Sequence, residues 1–164
     1  MGSIIRYTHR ECKFKLEFYE GVGFHLFRLQ CYARENMRSG QWGNHWKKMM
    51  EQYPDGTATL NNALCFCPKC KKYFKNPRVE FYIPKEGFQY EYDERDMVPN
   101  YVIAKHYQLI EKEDIICQDC ATRVEVVENL RKINCPVCGK EFETPRSRQV
   151  YGSAECRALS RRKK

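Results

Sequence analysis

The sequence predicts a small α+β protein stabilised by metal, built from two zinc-ribbon-like β modules, the first interrupted by a helical insertion. Paired cysteines at two-residue spacing, strand-like alternation beside them, and a helical apolar stripe between the early pairs carry that expectation. The strongest signal is Cys117-Gln-Asp-Cys120 followed by Cys135-Pro-Val-Cys138, with 14 residues between the two pairs. A CxxC turn brings two sulfurs to one point, and a second such turn completes a tetrahedral thiolate cage for zinc. Between them Arg123-Val-Glu-Val-Val-Glu128 alternates charged and apolar residues as a half-buried strand does, and Ile133 leads back into the second turn.

Size points the same way. A chain of 164 residues with ten cysteines divides into pieces too small to rest on one large core, and such pieces need staples. The start of the chain, Met1-Gly-Ser-Ile-Ile-Arg-Tyr-Thr-His9, has no apolar signal-peptide core, which leads to the expectation of a cytoplasmic protein with reduced thiols. Repeated CxxC pairs in a reducing compartment read as metal ligands before disulfides. No apolar run reaches the length of a membrane span, so no membrane partner is expected.

The net charge of +8 is unevenly placed. From Arg146 to Lys164 there are seven basic residues and one acid, Glu155, giving 7 − 1 = +6 and leaving +2 for the other 145 residues. A zinc held by four thiolates carries −2 and one held by three thiolates and a neutral histidine carries −1, so two such sites bring the folded body close to neutrality. Attraction to nucleic acid therefore has to reside in Arg146, Arg148, Arg157, Arg161, Arg162, Lys163 and Lys164.

In chain order, Ile4 to Tyr19 reads as two strands around the turn His9-Arg-Glu-Cys12, which has the spacing of a CxxC pair with histidine in the first position. Histidine is an ordinary zinc ligand; the alternative is a surface histidine beside a buried cysteine. Leu29, Ala33 and Met37 recur at helical spacing until Ser39-Gly40. Trp42, Trp46, Met49, Met50 and Tyr53 then mark one face of a second helix, ended by Pro54-Asp-Gly56; the helical insert covers about residues 26–53. That stripe reads first as a face packed on the protein's own sheet, and Cys31 as a small apolar residue.

Cys67-Pro-Lys-Cys70 is the next half-site, flanked by strand-like residues, with Cys65 on the same strand treated as non-ligating. Val79 to Ile83 reads as a strand closed by Pro84, and Phe88 to Asp96 as a solvated hairpin face. Pro99 either opens a short helix or ends a loop, and His106 to Ile116 reads as the strand delivering Cys117.

Four half-sites make two zinc sites: His9, Cys12, Cys67 and Cys70 as one, and Cys117, Cys120, Cys135 and Cys138 as the other. The expected domains are then 1–98, a split N-terminal ribbon; 99–145, a C-terminal ribbon; and 146–164, a basic tail or degenerate zinc finger. A different pairing joins Cys67/Cys70 to Cys117/Cys120; it would strand His9 and Cys12 and leave Cys135/Cys138 to seek ligands from the tail.

The tail resembles a known pattern. Cys135-Pro-Val-Cys138-Gly-Lys-Glu-Phe142, with Pro145-Arg-Ser-Arg148 and Tyr151-Gly-Ser-Ala-Glu-Cys156-Arg157, is similar to the short bacterial and phage zinc finger CPxCGKxF…YCSxxCR. Gly152 stands where that pattern has a cysteine, leaving the finger one ligand short and favouring Cys117/Cys120 as partners of Cys135/Cys138. More widely, Tyr7-Thr-His9-Arg-Glu-Cys12, Glu17-Phe-Tyr-Glu-Gly-Val-Gly23, the strand end Tyr82-Ile-Pro84 and the last ribbon resemble uncharacterised bacterial tandem zinc-ribbon proteins. That resemblance implies metal binding and names no reaction.

Sites filled by four protein ligands are structural, so the sequence points to a non-catalytic zinc protein rather than an enzyme. Its expected role is a nucleic-acid-binding or regulatory module contacting DNA or RNA through the tail. The alternatives are a protein–protein adaptor or inhibitor using the Trp42/Trp46 helix or the Phe88 to Tyr92 face, and a zinc-stiffened nuclease using Asn44-His45 or His106. Iron in a rubredoxin-like cage is chemically open to a tetrathiolate site.

Overall fold

In chain order, the elements of the computed structural model are strands β1 (Gly2–His9) and β2 (Phe14–Glu20), helices α1 (Phe24–Cys31), α2 (Ala33–Ser39) and α3 (Asn44–Gln52), strands β3 (Thr57–Cys67) and β4 (Lys72–Pro84), helix α4 (Asn100–His106), and strands β5 (Tyr107–Lys112), β6 (Glu125–Val126) and β7 (Arg146–Val150). The structure describes residues 2–9, 11–21, 24–92, 97–142 and 146–150. Arg157, Arg161, Arg162, Lys163 and Lys164 lie outside them, as do Gly152 and Cys156 of the finger-like pattern.

The strands form one sheet in the order β2-β1-β7 and another in the order β5-β4-β3-β6. In the first, Ile5 faces Phe18 and Tyr7 faces Leu16, which puts the buried Ile5, Tyr7 and Phe18 on one surface of the pair. Arg146 and Arg148, expected in a basic tail, occupy backbone positions of β7 opposite Arg6 and Ile4 of β1.

The chain forms two interleaved compact units rather than consecutive domains 1–98 and 99–145. One comprises Met1–Phe24, Asn61–Arg78 and Asp114–Lys164; the other comprises His25–Leu60 and Val79–Glu113. All eight expected metal ligands fall in the first. Each of the long strands β3 and β4 contributes one end to either unit.

The second unit holds the helices. Trp46 and Met50 of α3 are buried, with the Trp46 ring 6.3 Å from that of Phe81, whereas Trp42 and Tyr53 flank the helix and, like Met49, are only partly buried. Gly56 follows where the chain passes under Phe81: a Cβ there would overlap that ring. Of the expected stripe, Ala33 and Met37 are buried but Leu29 is exposed, because the helix breaks at Tyr32; the other buried positions here are Leu26, Gln30, Cys31 and Arg34. Pro99 caps α4, whose Val102 and Ile103 are buried, and the strand into Cys117 begins at Tyr107 and ends at Lys112. Of the expected solvated face from Phe88 to Asp96, residues 93–96 lie outside the described residues, and Phe88, Tyr90 and Tyr92 are partly buried against Val98, Val102, Ile103 and Tyr107, where their rings bury apolar area.

Candidate metal centres

Each HxxC or CxxC turn is built the same way. The residue after the second ligand has a left-handed backbone in all four: Lys13 (φ 53), Lys71 (φ 54), Ala121 (φ 55) and Gly139 (φ 75). That residue reverses the chain so that the flanking segments run back together. At the third turn Ala121 N–H donates to Cys117 O at 2.9 Å and Cys117 N–H to Thr122 O at 2.9 Å. The fourth repeats this, with Gly139 N–H to Cys135 O at 2.8 Å and Cys135 N–H to Lys140 O at 2.7 Å. At the second, the Cys70 amide donates to Cys67 Sγ at 3.3 Å.

The turns pair in a nested order. His9, Cys12, Cys135 and Cys138 converge in one group, and Cys67, Cys70, Cys117 and Cys120 in another, with the donor atoms of each within 4.8 Å of one another. The consecutive pairing expected from the sequence is therefore corrected, first turn with fourth and second with third. The physical reason lies in Arg123–Glu128. Instead of forming a hairpin between the third and fourth turns, its residues add to the edge of β3, with Cys65 opposite Val126, Phe66 opposite Glu125, and Val127 N–H donating to Leu64 O at 2.8 Å. That edge carries the third turn to the second, leaving the fourth to reach β1 and β2.

Separate apolar clusters lock the two pairs. Around the first, Cys135, Ile133 and Phe142 are buried with Ile5, Tyr7, Phe18 and Leu64. The Phe142 ring lies 5.5 Å from that of Tyr7, 5.7 Å from Phe14 and 6.4 Å from the His9 imidazole, and the Tyr7 hydroxyl donates to Leu130 O at 2.5 Å. Around the second, Cys67 and Cys117 are buried with Ala63, Cys65, Ile115 and Val124. Ion pairs repeat the relation on the surface: Lys140 meets Glu11 at 2.7 Å across the first pair, and Lys72 meets Asp119 across the second. In both, the lysine two residues after one turn's last ligand meets the acid just before the other turn's last ligand.

The donor geometry fits a tetrahedral cation. Zinc–sulfur bonds of about 2.3 Å place neighbouring sulfurs about 3.8 Å apart. Cys67 Sγ and Cys120 Sγ are 3.5 Å apart, Cys70 Sγ and Cys117 Sγ 3.9 Å, and Cys138 Sγ and His9 Nδ1 3.9 Å. Without a cation such clustered thiols oppose one another. Hydrogen bonds from the Thr122 side chain and amide pull Cys120 down to about 6, while its hydrogen bond with Cys70 pushes Cys70 up to about 12. In the other cluster the Lys140 amide lowers Cys138, whose contact pushes Cys12 up to about 11. A divalent cation resolves that conflict by accepting every sulfur as thiolate.

Cys65 belongs to neither group: its side chain is fully buried, and burial pushes its thiol up to about 11. Cys31 is buried with its Sγ 3.8 Å from Met97 Sδ. His45 pairs with Glu111 at 2.7 Å and His106 stacks on Phe88 at 4.3 Å, so neither histidine joins a cluster. Among the described residues no helix is long and apolar enough to cross a membrane. No protein-family model, curated protein or solved structure matches this chain.

Proposed function

We propose that the chain is a zinc-ribbon-type protein whose two metal ions are structural and whose work is binding, with nucleic acid as its target. The observation that carries this reading is that each cluster gathers four side-chain donors from two facing turns. Four protein ligands fill a tetrahedral shell and leave no position at which a substrate or an activated water would bind. The all-cysteine cluster is equally suited to iron, whereas the histidine of the other favours zinc. The resemblance of the last turn to CPxCGKxF fingers agrees with this reading.

Charge supports the target. The +6 of residues 146–164 is most of the molecule's net +8 and would meet a polyanion at one end of the chain. Removing residues 157–164 takes away Arg157, Arg161, Arg162, Lys163 and Lys164. If all five meet duplex phosphates, the slope of log affinity against log salt becomes shallower by about 4.5. A salt titration of full-length and truncated protein on duplex DNA and structured RNA measures it. Undetectable binding by the full-length protein at low salt would overturn the nucleic-acid reading and favour a protein partner.

A further inference from the structure

We infer that a groove between the second and fourth ligand turns takes an unpaired base of single-stranded nucleic acid, an inference that rests on reading residues 146–164 as a phosphate-binding segment. The groove encloses about 530 Å3, within the size range of small-molecule sites, and all of its lining residues belong to the metal-bearing unit. Phe66 and Tyr73 stand on either side of the second turn, their rings 4.8 Å apart and tilted by 44°, and both are only half-buried. Val126 and Ile133 add apolar lining, Asn134 adds an exposed amide, and Asn129, whose side-chain oxygen accepts from Arg131 N–H at 3.1 Å, presents its amide N–H group.

Charge decides what such a groove recognises. Lys71 and Lys132 are offset by Glu125 and Glu128, and Glu128 is itself 3.7 Å from Arg78. The lining thus has no net charge with which to trap a phosphate. Aromatic faces beside amides, which both donate and accept, instead suit a planar heterocycle with mixed hydrogen-bonding edges. A base already stacked and paired in a duplex cannot present its face, so the strand must be single. A polyanion is favoured over a peptide because residues 146–164 carry +6 of the molecule's net +8.

The test uses full-length, metal-loaded protein and three labelled probes of equal phosphate number: a single strand, the same strand with abasic positions, and the duplex. The base-bearing strand should bind at least about fivefold tighter than the abasic one. Phe66→Leu should collapse that ratio towards one while leaving abasic binding and metal content unchanged. Asn134→Ala, at an exposed position, should shrink the same ratio and keeps the test decisive if Phe66→Leu loses metal. Equal binding of all three probes would overturn the groove assignment, point to a peptide as its ligand, and leave the phosphate-binding segment standing. Binding of none at low salt would instead remove the reading on which the inference rests.

Discussion

Lys13, Lys71 and Ala121 hold a left-handed backbone that costs an L-residue about 1–2 kcal/mol, whereas Gly139 adopts it freely. A Cβ on Gly139 would meet nothing within 4 Å, so the backbone alone opposes a side chain there. Gly139→Ala should therefore cost about 1 kcal/mol and Ala121→Gly should stabilise by up to about 1 kcal/mol, both read from denaturation of metal-loaded protein. Tyr7 bears a different constraint. Burial, reinforced by Glu20 and Tyr73, raises its hydroxyl from 10.0 to about 12. A raised folded-state value means that stability is fully present below pH 10 and falls as pH rises from 10 towards 12, because only the unfolded chain ionises readily there. Tyr7→Phe should lose about 1 kcal/mol at neutral pH, with the Leu130 carbonyl left unpaired, and should flatten this alkaline decline. Thermal melts from pH 8 upwards would show both effects.

At the scale of elements, α3 bears out its stripe at Trp46 and Met50, while Trp42 and Tyr53 fall just outside the helix. Trp46 is 5% exposed, so Trp46→Ala should cost about 3–5 kcal/mol by opening a cavity against Phe81, whereas a surface partner face would tolerate the change. Chemical denaturation separates the two. The turns were also legible, since a two-residue spacer between sulfur or imidazole donors leaves little other use for residues flanked by alternating strands. Which turn meets which was not. The inter-turn ion pairs show why: acids precede the last ligand of the first and third turns, and lysines follow the second and fourth. That pattern disfavours joining first with third but accepts consecutive and nested order alike. The choice falls to non-local packing, with Val126 adding to β3 and Phe142 lying among Tyr7, Phe14 and His9. Local alternation carries no record of such partners.

Over the whole molecule, nested pairing draws the turns at residues 9–12, 67–70, 117–120 and 135–138 into one unit that holds both ligand clusters. Between the second and third turns, Val79–Glu113 contributes β5 and α4 to the other unit instead of opening a second ribbon at residue 99. The long loops closed by such contacts are costly in chain entropy, and metal ligation, worth about 10–16 kcal/mol in zinc-finger peptides, is large enough to offset them. The two clusters differ in one donor, which gives each a separate spectroscopic signature once cobalt or cadmium is loaded. Cys138→Ser therefore tests the central claim most directly, through the spectrum of the metal that this variant retains. Nested pairing predicts loss of the centre containing His9, so that one all-sulfur signal from Cys67, Cys70, Cys117 and Cys120 persists. Survival of a mixed sulfur–nitrogen signal, with the all-sulfur one gone, would contradict the nested pairing and restore the consecutive order.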